Sequence, residues 1–204
     1  MTRHDRWQER YREKYVPWDT GRPDSNLIDI VTGRPIPTGK TLEIGCGTGT
    51  NTVWLAQQGF SVTATDISEI AIQKAKQRAS SAGVPDTFIV IDFLADEIPD
   101  GPFQLVFDRG CFHSFDSYDE RSLFAKKVAT HLDTNGLWIS IIGNADGPPR
   151  KVGPPRLTAQ DIVTVVEPHF EILSLTSTHF DSNQTDPPRA WLCLMQKRNR
   201  WTGE

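Results

Sequence analysis

Short apolar runs alternate with amphipathic segments along most of this chain of 204 residues. The apolar runs predict seven β-strands, at residues 41–45, 60–65, 87–91, 103–107, 137–142, 170–178 and 190–196. The amphipathic segments predict helices at residues 50–58, after Ser68, and at residues 120–132 and 159–166. The central strands are nearly all apolar, so helices should cover both faces of the sheet. This alternation predicts a doubly wound, mostly parallel, seven-stranded α/β sheet with helices on both faces.

The first 38 residues have a different pattern. Trp7, Tyr11 and Tyr15 recur at every fourth position, which places them on one face of a helix predicted over residues 5–15. Residues 16–37 are rich in glycine and proline and predict an extended segment with one short helix near residues 26–31. A connector of this length is usually functional or disordered. We therefore divide a single domain, residues 1–204, into an N-terminal segment (1–38) and a core (39–198).

Composition and charge narrow the classes of partner. The formal net charge of −4 and the sequence pI of 5.7 argue against a nucleic-acid partner, which usually requires a basic surface. No apolar run approaches the ~18 residues of a membrane span, and no secretory signal follows Met1. The three cysteines form neither a disulfide framework nor a metal-binding pair, and the histidines lack ligand spacing, so we expect no metal. Together these features predict a cytoplasmic protein.

The glycine-rich turn between the first strand and the first core helix carries the strongest chemical signal. Gly45, Gly47 and Gly49 let the backbone turn tightly and approach a ligand closely. The turn lies beyond the carboxyl end of its strand, where a doubly wound sheet binds ligands. Asp66 follows the second strand, where an acid accepts hydrogen bonds from ribose hydroxyls. A dinucleotide fingerprint has its third glycine one position later, where this chain has Thr50, which disfavours a nicotinamide-dependent oxidoreductase.

The turn, from Glu43 through Cys46 to Gly49, resembles motif I of class I S-adenosylmethionine-dependent methyltransferases, which have a Rossmann-like fold. By this resemblance the turn wraps the methionine part of the cofactor. The family places an acid near the adenine amine and an apolar side chain against the ring, at the positions of Asp92 and Phe93. The alternative for Asp92 is a solvated acid at a strand end. Asp108 ends the fourth strand, which the class I order places beside the first, so the loop after it should face the reactive methyl group.

Segments outside the core narrow the resemblance. Residues 17–23 (Pro-Trp-Asp-Thr-Gly-Arg-Pro) and 147–152 (Gly-Pro-Pro-Arg-Lys-Val) are similar to segments of the thiopurine, thiol and halide methyltransferase group. In that group an aromatic N-terminal helix and a Trp-Asp segment cover the cofactor as a lid, and the Gly-Pro-Pro segment helps to close the acceptor pocket. The alternative is that the N-terminal aromatic residues only hold an arm to the core. The cofactor-binding residues implied by the resemblance are Trp7, Trp18, Glu43, Gly45, Cys46, Gly47, Gly49, Asp66, Ile67, Asp92, Phe93 and Asp108.

His113 and Arg109, in the loop after the fourth strand, are the candidate catalytic residues. A thiolate or halide needs little help from a base, whereas a hydroxyl acceptor must lose its proton. His113, with an ordinary pKa of ~6.5, could be that base or could only shape the pocket. Arg109 could hold an anionic acceptor or pair with an acid. The predicted substrate-binding residues are Tyr11, Arg22, Phe112 and Pro149.

The sequence therefore predicts an S-adenosylmethionine-dependent methyltransferase of a small molecule, with a thiol or another soft nucleophile preferred. One alternative is O-methylation of a phenolic or hydroxylated heterocyclic compound with His113 as the base. Another is a cofactor-binding regulatory protein without catalysis. Tyr11 stands where human-type thiopurine enzymes have a second tryptophan, and His113 stands where halide and thiol enzymes have a cysteine, so the acceptor cannot be inferred from either group. A monomer is expected, because a single-domain enzyme can carry its own lid.

Overall fold

The computed structural model describes residues 1–85, 87–147 and 155–199. Within them seven strands form one sheet, namely β1 (Lys40–Ile44), β2 (Ser61–Asp66), β3 (Phe88–Val90), β4 (Phe103–Arg109), β5 (Leu132–Gly143), β6 (Phe170–His179) and β7 (Arg189–Lys197). The α-helices of the same residues are α1 (Arg3–Arg12), α2 (Ser25–Gly33), α3 (Thr50–Gln57), α4 (Glu69–Ala82), α5 (Tyr118–His131) and α6 (Ala159–Val166). A short 3₁₀ helix, Phe112–Ser114, follows β4 and was not predicted. Every predicted strand and helix occurs close to its predicted position.

The strand order is β3-β2-β1-β4-β5-β7-β6, which confirms the predicted fold class. Strands β1 to β5 run parallel, and β7 runs antiparallel to both β5 and β6. From β1 the chain proceeds outward to β2 and β3, and it then returns to place β4 on the other side of β1. The direction of winding therefore reverses between β1 and β4, and this is where such sheets form a ligand crevice at the carboxyl ends of the strands.

Helices cover both faces of the sheet, as the apolar central strands require. On one face, buried side chains of α5 and α6 pack on β1, β4 and β5 around the fully buried Trp138. On the other face, Leu27 of α2 and Leu55 of α3 pack on β4 and β5. The apolar spacing after Ser68 predicts that α4 buries one stripe, namely Ala71, Ile72, Ala75, Ala79 and Ala82. The first four are buried, whereas Ala82 is exposed.

Side-chain caps set where several helices begin. The Ser68 hydroxyl accepts a hydrogen bond from the Ala71 N–H at 3.2 Å, which confirms the predicted start of α4. A capping box between Thr2 and Asp5 starts α1 at the beginning of the chain. Because such caps satisfy N–H groups that have no partner inside the helix, each contributes about 0.5–2 kcal/mol to helix stability.

Two local predictions are wrong. The helix α1 ends at Arg12, and Lys14 adopts a left-handed conformation (φ 57°), so Tyr15 lies beyond the helix and is 45% exposed. The Asn135-Gly136 pair, a sequence that predicts a turn ahead of the fifth strand, lies inside β5 instead. Asn135 is left-handed there (φ 61°), and the register between β4 and β5 shifts at the same place, as expected for a bulge.

No helix among the described residues combines the length and apolar character that crossing a bilayer would require.

Candidate active site

A cavity of about 400 Å³ lies at the carboxyl ends of β1, β2 and β4, within the range of about 300–1,000 Å³ typical of small-molecule sites. Its walls come from α1, the segment after α1, the glycine-rich turn, the ends of these strands and the loop between β6 and β7. The cavity brings together these sequence-predicted site residues: Trp7, Tyr11, Trp18, Arg22, Gly45, Cys46, Gly47, Asp66, Ile67, Asp92, Phe93, Arg109 and His113. Residues far apart in the chain therefore meet where the sheet reverses its winding.

The glycine-rich turn requires glycine because of close approach as well as conformation. Gly45 (φ +70°) and Gly47 (φ +56°) are both left-handed, a conformation that other residues adopt at a cost. A Cβ atom at Gly45 would lie 3.0 Å from the Cys111 Cβ, and one at Gly47 would lie 2.9 Å from the Tyr11 hydroxyl oxygen. Tyr11, which was predicted to contact the acceptor, is therefore placed against the cofactor turn.

Asp66 ends β2 with its carboxylate directed at this turn. One oxygen accepts a hydrogen bond from the Gly47 N–H and the other accepts one from the Ser68 N–H, each at 2.9 Å. Burial raises the pKa of Asp66 to about 6, although these backbone N–H groups lower it. Each carboxylate oxygen keeps a second lone pair, so Asp66 can still accept from two ribose hydroxyls. This donor–acceptor arrangement fits the ribose of an adenosyl cofactor.

The end of β3 supplies a polar and an apolar wall. Asp92 is partly buried, and one of its oxygens accepts from the Leu94 N–H at 3.0 Å. Phe93 is buried and packs on Phe124 with ring centroids 4.5 Å apart. Ile67 lines the same cavity, so this part of the wall combines apolar side chains with an acid, which suits a flat heterocycle that carries an amine.

Three predicted cofactor contacts lie beneath the cavity and do not line it, so these predictions are corrected. Glu43 accepts a hydrogen bond from the Thr52 hydroxyl, which ties β1 to α3, and burial raises the pKa of Glu43 to about 8. Gly49 starts α3 in a left-handed conformation, and a Cβ there would lie 2.9 Å from the Ala75 Cβ. Asp108 is fully buried. All three support the turn or the loop from below.

Asp108 determines the shape of the loop after β4. One of its oxygens accepts from the backbone N–H groups of Cys111 (3.2 Å) and Phe112 (2.9 Å), and the other accepts from the Trp138 indole N–H (3.0 Å). Burial raises the pKa of Asp108 to about 6. The resulting 3₁₀ turn directs Phe112 into the core, against Phe124 and Trp138. The prediction that Phe112 contacts the acceptor is therefore wrong, because its side chain is completely buried on the far side of the loop.

The N-terminal segment closes over the glycine-rich turn. In α1, the Gln8 side-chain oxygen accepts from the Ser68 hydroxyl at 2.6 Å, which docks α1 on α4. The Trp18 ring meets Trp7 edge-on, with ring centroids 5.5 Å apart. The Thr48 hydroxyl donates to Asp19 at 2.9 Å, so the segment after α1 is bonded to the turn itself. Both tryptophans lie in the cavity wall, where the predicted lid would place them, and the lid itself stays a prediction.

Arg109 clamps this segment to the rest of the site. Its guanidinium forms a buried ion pair with Asp24, and it donates to the backbone oxygens of Trp18 (3.3 Å) and Asp181. The guanidinium carbon also lies 5.2 Å from the centre of the Phe180 ring. Of the two predicted roles for Arg109, the structure shows the pairing with an acid. Its hydrogen bonds join the N-terminal segment to the loop between β6 and β7.

His113 lines the cavity beside this clamp and is almost fully buried. Its Nδ1 accepts a hydrogen bond from the Gly143 N–H of β5, and its ring packs edge-on against Phe180 with ring centroids 5.7 Å apart. Burial, together with the nearby Arg109 guanidinium, lowers the pKa of His113 to about 3. His113 is therefore uncharged at neutral pH.

Of the other predicted acceptor contacts, Arg22 is exposed at the rim of the cavity, and Pro149 lies outside the described residues. The sequence analysis missed the loop between β6 and β7, which contributes the cavity residues Phe180, Asp181, Ser182, Gln184 and Pro188. Strand direction was a signal for this loop. The loop follows the carboxyl end of β6, and because β6 runs parallel to β5, this end lies at the edge of the sheet that carries the cavity. Among the described residues no group of histidine, cysteine or acidic side chains is arranged to hold a metal ion.

The sheet order, the glycine-rich turn and the Asp66 site define a class I S-adenosylmethionine-dependent methyltransferase. Comparison with known families then identifies the group. The family model described as "Thiopurine S-methyltransferase (TPMT)" matches residues 2–202, and the chain belongs to that family. It is an enzyme with S-adenosylmethionine as its cofactor.

Individual proteins agree with this assignment. The chain is 29% identical over 201 residues to a probable thiol methyltransferase 2 of Arabidopsis thaliana, and the match covers 96% of this chain and 83% of that protein. It is 30% identical over 154 residues to thiocyanate methyltransferase 1 of the same plant, covering 72% of this chain and 66% of that protein. Among solved structures, magnesium protoporphyrin IX methyltransferase from Synechocystis PCC 6803 with bound S-adenosylmethionine superposes with a TM-score of 0.70 at 17% identity, covering 97% and 98% of the two chains, which shows the shared fold.

Proposed function

We propose that this methyltransferase transfers the methyl group of S-adenosylmethionine to the sulfur of a small-molecule thiol. The observation that carries the proposal is the setting of His113, the one histidine among the described residues that lines the cavity: its Nδ1 already accepts from the Gly143 N–H. A pKa of about 3 makes His113 too weak a base to take a proton from a hydroxyl acceptor. A thiol needs no such base, because a fraction of it is already ionised at neutral pH and the thiolate is intrinsically nucleophilic.

The carboxylates near the acceptor side do not replace His113 as a base. Asp24 is paired with Arg109, and both oxygens of Asp181 accept hydrogen bonds from Ser25. Asp19 accepts from the Thr48 hydroxyl. The relatives named as thiol and thiocyanate methyltransferases also act on sulfur nucleophiles by their names, which supports the same class of acceptor.

The residues of this chain then have distinct tasks in the proposed reaction. Gly45 and Gly47 admit the methionine part of the cofactor, and Asp66 accepts from its ribose hydroxyls. Asp92 and Phe93 hold the adenine. The cofactor supplies a methyl group that is already activated, so the protein has mainly to align the acceptor sulfur with it and exclude water.

The lid and its clamp provide this exclusion. Trp7 and Trp18 cover the turn from above, and Arg109 holds that cover closed. The transfer forms a bond between the methyl carbon and the acceptor sulfur and breaks the sulfonium S–CH₃ bond, whose electron pair remains on the cofactor sulfur. The thiol proton is lost to solvent, and the products are a methyl thioether and S-adenosylhomocysteine.

A matched pair of acceptors tests the proposal. Thiophenol and phenol share one ring and differ in the nucleophilic atom, and the purified enzyme should release S-adenosylhomocysteine with thiophenol and far more slowly with phenol. The Asp66→Ala variant, which loses the proposed ribose contact, is the matched control for cofactor-dependent turnover. Turnover of phenol with thiophenol inert would contradict a sulfur acceptor and favour O-methylation.

We further infer that the enzyme acts as a cytoplasmic monomer on a free small molecule. The lid that closes its cavity comes from the same chain, so no second copy is needed to complete the site. The three cysteines are unpaired, as is usual in a reducing compartment. Light scattering on the purified protein should give a mass near 22.9 kDa, and a mass twice that would contradict the monomer.

A further inference from the structure

The two ring nitrogens of His113 have different surroundings. Nδ1 accepts a hydrogen bond from the Gly143 N–H, so this nitrogen carries a lone pair and no proton. A neutral imidazole has one N–H and one acceptor nitrogen. The proton of neutral His113 therefore resides on Nε2, and in this tautomer Nε2 is a donor that has no lone pair with which to remove a proton from an acceptor.

Nε2 is the ring nitrogen that lies next to Gly110, which lines the same cavity. Among the described residues it has no hydrogen-bond partner, although His113 lines the cavity. Gly110 lies beside Nε2 in a left-handed conformation. A Cβ atom added at Gly110 would lie 3.4 Å from Nε2, an ordinary van der Waals distance, so the backbone there does not crowd this nitrogen. The Phe180 ring packs against the imidazole and makes this corner of the cavity apolar. An N–H donor without a partner in such a place is complementary to one hydrogen-bond acceptor of a bound molecule.

The charged groups around His113 favour an anion at this position. From β4, the Arg109 guanidinium contributes a positive charge, and its partner Asp24 comes from the N-terminal segment. From the loop between β6 and β7, Asp181 is engaged by Ser25. The other acid of the lid, Asp19, is engaged by Thr48 on the turn. The carboxylates that could repel an anion are thus bonded to donors, while the His113 N–H remains available.

We propose that the Nε2–H group of His113 donates a hydrogen bond to the nucleophilic sulfur of the acceptor and thereby selects the thiolate over the neutral thiol. This inference rests on the proposed thiol acceptor and assigns His113 a role that is neither that of a base nor that of a passive wall. An enzyme that binds the thiolate should prefer acidic thiols. Alkyl thiols, with a pKa of about 8.5, are only a few per cent ionised at neutral pH.

The ionisation of a bound thiol tests this role without turnover. Thiophenol can be titrated spectroscopically, since its thiolate and thiol absorb differently, in the presence of the enzyme and S-adenosylhomocysteine. The apparent pKa of the bound thiol should lie below that of the free thiol with wild-type enzyme, and this decrease should shrink with the His113→Asn variant. A bound pKa equal to or above the free value in the wild-type enzyme would overturn the proposal, and this measurement does not depend on any variant folding.

Two substitutions separate a donor from a base. Glutamine at position 113 can direct an amide N–H towards the position of Nε2 but has no basic nitrogen. Asparagine can accept from the Gly143 N–H but does not reach the cavity. Because a hydrogen bond to an ionised group is among the stronger ones, His113→Asn should lose at least about tenfold more kcat/KM for thiophenol than His113→Gln. Equal losses in both variants would overturn the donor role, and His179→Gln, at an exposed site on β6, controls for the substitution itself.

The failure of the donor role is distinguishable from the failure of the proposed function. Turnover of thiols with equal losses in the two variants would overturn only the role of His113. Turnover of phenol, with every thiol inert, would overturn the thiol acceptor and the His113 assignment together.

Discussion

Replacing Arg109 by methionine removes the guanidinium that joins the lid to the acceptor side of the site. The Arg109 and Asp24 side chains are only 11% and 1% exposed, so the substitution leaves the Asp24 carboxylate buried without its partner. Breaking a buried pair from one side costs about 3–5 kcal/mol, and for a domain of this size each kcal/mol lowers Tm by about 2–4 °C. Arg109→Met should therefore lower Tm by about 6–20 °C. Methionine replaces most of the apolar stem of the arginine side chain, so the lost charge contributes more to this change than lost packing does.

A double-mutant cycle isolates the ion pair. Asp24→Asn keeps an oxygen to accept from the Asn26 N–H at the start of α2, and so it removes the charge with little damage to the cap. The double variant should be less destabilised than the sum of the single variants by about 1 kcal/mol or more. Arg22→Met, at an exposed rim position, is the control and should change stability by less than about 0.5 kcal/mol.

The assay combines thermal unfolding, monitored by circular dichroism, with hydrogen exchange of residues 17–24. Exchange in this segment should accelerate in Arg109→Met, because the clamp contacts the Trp18 carbonyl and Asp24 directly. Additive effects of the two substitutions, together with unchanged exchange, would refute the idea that Arg109 holds the lid.

Three further predictions concern the cofactor side and the corrected assignments. Cofactor affinity, measured by calorimetry, should weaken as the pH falls through about 6, because protonation of Asp66 removes an acceptor for the ribose; a flat profile between pH 5 and 7.5 would contradict its role. Gly47→Ala should weaken cofactor binding, and its left-handed backbone alone should cost about 1–2 kcal/mol of free energy. Adding Tyr11→Phe to this variant removes the hydroxyl that lies 2.9 Å from the added methyl, and it should restore part of the lost cofactor binding. Phe112→Ala should destabilise the fold by about 3–5 kcal/mol in chemical denaturation while leaving the ranking of acceptors unchanged, and a changed ranking would restore Phe112 to the acceptor pocket.

The fold was predictable because its signals are local. The helix α6 occupies the residues that its periodicity indicates, and the strands differ from their predicted bounds by a few residues. Asp66 and the glycines of the turn were found in the same way, since the end of a parallel strand is also the edge of the ligand crevice. Position along the chain was sufficient for these residues.

The directions of side chains, and the pairing of residues that are far apart in the chain, were not predictable from the sequence. Asp108 and Phe112 are within four residues of the cavity residues Arg109 and His113, yet the 3₁₀ turn directs them into the core. The partner of Arg109 is Asp24, 85 positions away, and no spacing rule connects the two. The tautomer of His113 depends on a backbone N–H of β5, which the sequence of the loop does not contain.

The N-terminal segment is bonded to both halves of the site at once. Asp19 accepts from Thr48 on the cofactor side, while its backbone oxygen accepts from the Asn183 side chain in the loop between β6 and β7. If the proposed lid opens as one unit, both sets of bonds break together, and a single opening event admits both reactants and releases both products. For every acceptor whose methylation is faster than that opening, turnover reaches the same ceiling regardless of the acceptor's chemistry.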